Sequence, residues 1–577
     1  MSWRRGWPVA RLRGLLLALG LVAGLTGCVE VPASSPVQFA NPTDSPAAPA
    51  GVTVYPAGPA HGDTPVQIVS GFLEAMASYQ PGYPVAKEFL TPSARSSWAT
   101  SSVTVYNQPD SGGLTQRKNH TVRFSAVRTA RITDDGEWRS AGADRPMKVD
   151  FKMRKVKGQW RIDKLPDGVL MSSFDVDREF SPYDLYFFDT SFKWLIPDRR
   201  FLPSRSSVET LLIARLAAGP SGWLAPVVRT SFPEGSASAR MSPTVTLSGA
   251  NAKVTVGDKL TSLTDDQRNL LYAQISMTLA QVGVTSVEVS TSKGPLTVKG
   301  EPNSVPVSEW SRYSLTGNDP TGVAYAFDGR GLKPLGPKGT GQPMLDLLAG
   351  TTGRSCAVSP AEDAIAIVSP KGTQVTIAEV TAHAPLVVAR GTSFAQPSFD
   401  RFGDLWLVDG TASGSHVYVW HADQLLEVPI GSLADERITA LRVSEDGVRA
   451  ALVVADQSGD HLVIARVDRA ANGKPPPKLS DPIRLSAPVT KISGLSWSDL
   501  DTLLVLGAKG GAPLQPYEVA IDGSTGVSIG SSPSASSIAA DQGQPLLLGG
   551  TDGTISSHES GYRWKTLGKG RNPCYPG

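Results

Sequence analysis

The sequence predicts a multidomain chain: two α+β units followed by an all-β unit. Three observations carry this. At 577 residues the chain is long enough for three or four domains of about 150 residues each. Apolar residues first repeat at helical spacing and then alternate, twice in succession. Beyond residue 305 the helical period disappears, and a turn-to-strand pattern recurs every forty to fifty residues.

The first residues read as an export signal. Residues 1–27 hold Arg4, Arg5, Arg11 and Arg13 and no acid, then the apolar run Gly14–Gly24 and the sequence Leu25-Thr26-Gly27-Cys28. An apolar run of eleven residues is too short to cross a hydrocarbon core as a helix. Leu-Thr-Gly-Cys resembles the bacterial lipobox, in which small residues give processing enzymes access to the thiol. That resemblance implies S-diacylglyceryl and N-acyl (palmitate) modification of Cys28, with cleavage before it. Two acyl chains on one cysteine are enough for stable attachment. Residues 28–63 then form an acylated, flexible tether rich in Pro, Ala and Ser, for example Pro32-Ala33-Ser34-Ser35-Pro36.

The first α+β unit spans 64–180. Thr64-Pro65 starts a helix whose buried face is Val69, Phe72, Leu73 and Met76. Alternation follows at Val122, Phe124 and Ala126, then Val149, Phe151 and Met153, then Trp160 and Ile162 after a Lys157-Gly158 turn. A helix followed by a curved antiparallel sheet with this closing hairpin resembles the NTF2-like fold.

The second α+β unit spans 185–300. Ser206-Ser207-Val208-Glu209 and Thr264-Asp265-Asp266-Gln267 each fit a capping box before an apolar helix face. Tyr186-Phe187-Phe188-Asp189, Leu195-Ile196-Pro197-Asp198-Arg199-Arg200, Leu216-Ala217-Ala218-Gly219-Pro220, Phe232-Pro233-Glu234-Gly235, Val254-Thr255-Val256 and Gln274-Ile275-Ser276-Met277-Thr278-Leu279 resemble, in order, the signatures of the GerMN domain. The resemblance implies an extracytoplasmic interaction module and transfers no catalytic residue.

Residues 305–577 read as a β-propeller. Val323, Ile365, Leu405, Ala450, Leu503 and Leu546 occupy equivalent turn-to-strand corners, with steps of 42, 40, 45, 53 and 43. A period in the forties without helices suits four-stranded blades, six of them or else seven. Cys356 and Cys574 are free to pair in an oxidising compartment, closing the ring, or else stay as two buried thiols.

Chemistry has no visible home in the sequence. There is no Cys-x-x-Cys and no His-Glu-x-x-His, and His416 and His421 lie at an odd strand spacing that sends them to opposite faces. Gly526-Val527-Ser528-Ile529-Gly530 matches a nucleophile elbow only in letters, because it sits in a β context. Gly336-Pro337-Lys338-Gly339-Thr340-Gly341 lacks the Gly-Lys-Ser/Thr ending of a phosphate loop. Asp265-Asp266 and Asp499 with Asp501 are explained by a helix start and a turn. No catalytic residue, metal site or cofactor is expected. Residues 1–27 hold four of the 55 basic residues, so the mature chain has 51 against 53 acids and no footprint for nucleic acid.

In this order, lipobox, tether, NTF2-like unit, GerMN unit and propeller resemble the actinobacterial LpqB lipoprotein family over essentially the whole chain. The resemblance implies a non-enzymatic lipoprotein at the extracytoplasmic face of the cell membrane, accessory to the MtrA–MtrB two-component system. It would contact the extracytoplasmic domain of the sensor histidine kinase MtrB and modulate MtrA phosphorylation, cell division and envelope homeostasis. The alternative is a cell-wall or glycan binder that uses the propeller face. A propeller hydrolase would require acids or histidines gathered at one end of the central channel.

Overall fold

The computed structural model describes residues 56–577 apart from 109–112, 205–206, 237–242, 316–321, 337–341, 412–413, 471–475 and 531–533. The signal segment, Cys28 and most of the tether therefore lie outside the described residues, as do Ser206 and most of the Gly336–Gly341 stretch.

Helix Pro65–Ala77 opens the first unit with a complete capping box: the Thr64 side chain accepts from the Gln67 amide and the Gln67 side chain accepts from the Thr64 amide. Its face of Ile68, Val69, Phe72 and Met76 packs on a six-stranded sheet. Across the sheet the strands run Gln159–Lys164, Trp138–Val156, Thr121–Ile132, Val103–Asn107 and Val169–Ser172; the last pair is parallel and the others antiparallel. Strand Leu114–Arg117 joins the edge of Thr121–Ile132. Period-two alternation buries Val122, Phe124, Phe151 and Ile162 against the helix.

The second unit begins with the antiparallel pair Phe180–Asp189 and Leu195–Pro203. Strands Asn251–Thr255 and Ser286–Thr291 run parallel, joined by helix Asp265–Ala280, whose Thr264/Gln267 capping box is also complete. The cap of the other expected box, Ser206, lies outside the described residues. Ser207 sits in the left-handed region (φ 73°) and makes no side-chain cap, so helix Val208–Ala218 starts without one. Gly219, with φ 102°, ends that helix in a conformation that glycine adopts without steric cost.

The boundary expected at 305 is corrected. Val305 pairs with Val287, and Trp310 is 1% exposed with its ring centroid 6.1 Å from that of Tyr272. Residues up to Leu315 thus complete the core of the second unit, since the sheet edge and the Tyr272 face would otherwise lie open.

From Tyr325 onward the chain forms a ring of antiparallel sheets. Five sheets have four strands each, laid in sequence order, with first strands Ser355–Val358, Ser398–Phe399, Arg437–Val443, Lys491–Asp499 and Ala535–Ala539. A sixth joins both ends of the region: Arg571–Cys574 pairs with Tyr325–Phe327, which pairs with Leu332–Pro334. Each first strand lies beside that of the next sheet, and Arg571–Cys574 lies beside both Ala535–Ala539 and Ser355–Val358, so the ring closes. Ile365, Leu405, Ala450 and Leu503 all fall on second strands, which is why their spacing exposed the repeat.

Candidate functional site: a rigid junction and an arginine–aromatic face

A disulfide ties the ring shut. Cys356 and Cys574 are bonded with their Cα atoms 6.0 Å apart across 218 residues of sequence. Tyr325 pairs with Cys574 and Val358 bridges Pro576, so the covalent link lies where sheet hydrogen bonds already join the two ends.

The two α+β units are locked onto one end of the propeller. The turns between first and second strands emerge there, and Val448 and Leu500 from two of them join the core of the second unit. Arg199 pairs with Asp184 at 3.5 Å and also with Asp501. Asp501 therefore does more than shape its turn, contrary to the sequence reading. It is the acidic partner of a cation 302 positions earlier, a relationship invisible until the units are assembled. Arg449 ties Asp446 to the Pro197 carbonyl. Arg466 donates to the Trp223 carbonyl (2.8 Å) and to Asp481 (2.6 Å). The first unit joins through Arg200, 2% exposed, which bridges Asp198 (2.7 Å) and Asp135 (2.9 Å), and through Ser140 on Ser486 (2.9 Å). A cavity of about 90 Å³ remains where the three meet, lined by Trp138, Asp198, Trp223, Arg449, Ile483 and Asp522.

Beside this junction a preorganised surface presents Phe402. The turn Asp400-Arg401-Phe402-Gly403-Asp404 folds around the buried Asp400 carboxylate, which accepts from the Phe402 amide (2.8 Å), the Asp404 amide (3.1 Å) and Trp406 Nε1 (2.7 Å). Arg469 donates to both Asp400 and Asp404 and lies 4.3 Å over the Phe402 ring. Burial pushes the Asp400 carboxyl above the usual range, against the pull of Arg469. His421 Nδ1 meets Asp404 at 2.5 Å. Arg401 lies 4.4 Å over Trp194 of the second unit and 5.8 Å from the Phe402 ring. Phe402 nevertheless stays 55% exposed, an aromatic held between two guanidinium groups on a rigid base.

His416 binds Glu427 (2.9 Å) while His421 binds Asp404, so the two histidines serve separate partners. Ser528 lies on a short outer strand with Gln515 3.4 Å away, and among the described residues that follow there is no helix. Acids do gather at this end of the ring: Glu445 is pushed up to about 7 by desolvation and by Asp541, Asp446 and Asp499. Asp446 and Asp499 are occupied, however, accepting from the Val448 amide (2.9 Å) and the Leu500 amide (2.7 Å) in their turns. Among the described residues no group of three potential ligands could hold a metal. Sequence reading missed the Phe402 face because that turn was read only as a strand corner. A phenylalanine in an otherwise polar five-residue turn was the available signal.

Two family models match, the "Lipoprotein LpqB, N-terminal domain" over residues 58–177 and the "Lipoprotein LpqB beta-propeller domain" over residues 338–576. Together they span well over half of the chain. It belongs to the LpqB lipoprotein family. LpqB lipoproteins of Thermobifida fusca (strain YX) and Streptomyces avermitilis are 28% and 29% identical, over 96% and 97% of this chain and 97% and 98% of their own lengths. Among solved structures, TolB from Acinetobacter baumannii aligns with 52% of this chain and 84% of its own, at 16% identity and a TM-score of 0.33. Membership in the LpqB family makes this an envelope lipoprotein with a propeller domain. No helix among the described residues is long and apolar enough to cross a membrane.

Proposed function

We infer that the protein is anchored through an acylated Cys28 at the extracytoplasmic face of the cell membrane and acts by contact. In this reading it binds the sensor kinase MtrB and modulates MtrA phosphorylation, with an NTF2-like first unit, a GerMN second unit and a six-bladed propeller. The closed ring of first strands supports the blade count. The observation that carries the contact role is the Phe402 face: an exposed aromatic between Arg401 and Arg469, beside Trp194, on carboxylates that are already satisfied. Arginine and aromatic anchors on preformed bases are the side chains that concentrate binding energy at protein interfaces. The junction adds to this by holding propeller and second unit in one arrangement, which lowers the entropy lost on binding.

The test is recovery of MtrB with the acylated full-length protein from mild detergent, comparing wild type with Phe402→Ala. Because Phe402 is exposed, the variant keeps its fold, and recovery falls at least tenfold. Equal recovery moves the contact off this face, and absence of MtrB with wild type overturns the partner.

A further inference from the structure

The first unit concentrates cations at one end of its sheet. Val122, Phe124, Phe151, Met153 and Ile162 point into the core, so strand alternation turns Arg123, Lys152, Arg154 and Arg161 outward. Two of these are neutralised: Arg123 pairs with Asp150 and Arg154 with Asp163, each at 2.6 Å. Arg117, Lys118, Lys152, Lys155, Lys157 and Lys164 are exposed and have no ion-pair partner among the described residues. They crowd the hairpin joining Trp138–Val156 to Gln159–Lys164 and its neighbouring strand turn.

The chain enters the fold at the same place. The Gly62 amide donates to Gln159 Oε1 (2.9 Å), and His61 Nε2 lies 3.1 Å from Gln159 Nε2. Gln159 directly follows the tight turn Lys157-Gly158, whose φ values are 49° and 83°. His61 comes 33 residues after Cys28, so the segment leading from the cysteine is stitched to the hairpin that carries the lysines. At the hairpin end the half-buried Trp160 lies 5.1 Å from the Lys155 ammonium and 5.2 Å from the His120 ring. An indole beside a lysine ammonium is a side-chain pair that settles at a boundary between headgroups and water.

We propose that this hairpin end of the first unit docks on the anionic lipid headgroups of the membrane that carries the protein. The proposal takes its geometry from the acylated Cys28 reading, while its chemistry stands on the lysines alone. The unpaired charge is spread along both strands of a hairpin and the neighbouring turn, which suits a diffuse charged plane better than a shaped ligand. Acyl chains and a basic surface are complementary signals: the first gives residence and the second gives orientation.

The experiment uses the mature chain from Val29 onward, which cannot be acylated, with phosphatidylcholine vesicles and with vesicles containing phosphatidylglycerol. Co-sedimentation occurs with the anionic vesicles and is lost as salt is raised. Lys152→Gln, Lys155→Gln, Lys157→Gln and Lys164→Gln lower binding about fivefold per lysine removed, whereas the four Lys→Arg changes retain it. Binding equal on neutral vesicles, binding unaffected by the glutamines, or binding only to isolated cell-wall material overturns the proposal. Failure of the anchor is read separately, from Cys28→Ser in intact cells. Vesicle binding by the Val29 chain, together with a Cys28→Ser protein that still partitions into the detergent phase, would sink acylation and leave headgroup docking standing.

Discussion

Trp223 Nε1 donates to the Asp481 carbonyl over 2.8 Å, and Arg466, which holds the Asp481 carboxylate, returns a hydrogen bond to the Trp223 carbonyl, also at 2.8 Å. Two residues 258 positions apart thereby clamp the second unit to the third sheet of the ring. Trp223 also packs against the apolar cores on both sides. Trp223→Ala removes the donor and the apolar bridge together, at a cost of about 2–3 kcal/mol for a half-buried indole. Calorimetry should then resolve separate transitions for the propeller and the preceding units. One unchanged transition would show that the clamp is dispensable.

The disulfide makes a larger claim. Closing a loop of 218 residues removes chain entropy worth about 5 kcal/mol from the unfolded state. Replacing both Cys356 and Cys574 with Ser should lower the propeller's unfolding free energy by that amount, read as a lower urea midpoint at unchanged denaturant dependence. The wild type should show the same shift under reductant. A midpoint that ignores both treatments would mean the sheet pairing at Tyr325 and Cys574 suffices.

Glu445 gives a pH signature with a definite sign. Its folded-state pKa is raised to about 7 by desolvation and by neighbouring carboxylates. A carboxyl raised on folding contributes fully below the unfolded value near 4.5, and that contribution is lost as pH climbs through 7. Glu445→Gln should therefore stabilise the protein at pH 8 and leave it unchanged near pH 4. Because Glu445 reaches solvent, the gain stays at or below about 1 kcal/mol. Denaturant midpoints measured across that pH range check it, and a gain that grows on acidification would refute the assignment.

Cys28→Ser should release the protein from the membrane fraction at a salt concentration that screens headgroup contact, since a single thioether carries the diacylglycerol. Partitioning in a cloud-point detergent reads this directly. A variant that still enters the detergent phase would rule out acylation at this residue.

Much of the architecture was legible without coordinates because it rests on local, periodic physics. Thr64-Pro65 and Thr264 with Gln267 signal their own helix starts, since a cap needs only residues close in the chain. The corners at Ile365, Leu405, Ala450 and Leu503 betray the repeat because each sheet of the ring solves the same packing problem. Ser207 shows the limit of that logic. A serine directly before helix Val208–Ala218 has the letter of a cap, but its backbone is left-handed and its side chain makes no capping hydrogen bond.

By itself, then, the sequence determined the order of the units and the strand period of the propeller. These depend on neighbours in the chain. Tertiary structure alone decided that Trp310 belongs to the second unit, that Asp501 answers Arg199 and that Phe402 stands exposed between two guanidinium groups. Each of these joins residues far apart in sequence, and such partners are chosen by the geometry of packed units rather than by spacing. The contacts that join the units are of that second kind, which is why the propeller could be read in advance and these contacts could not.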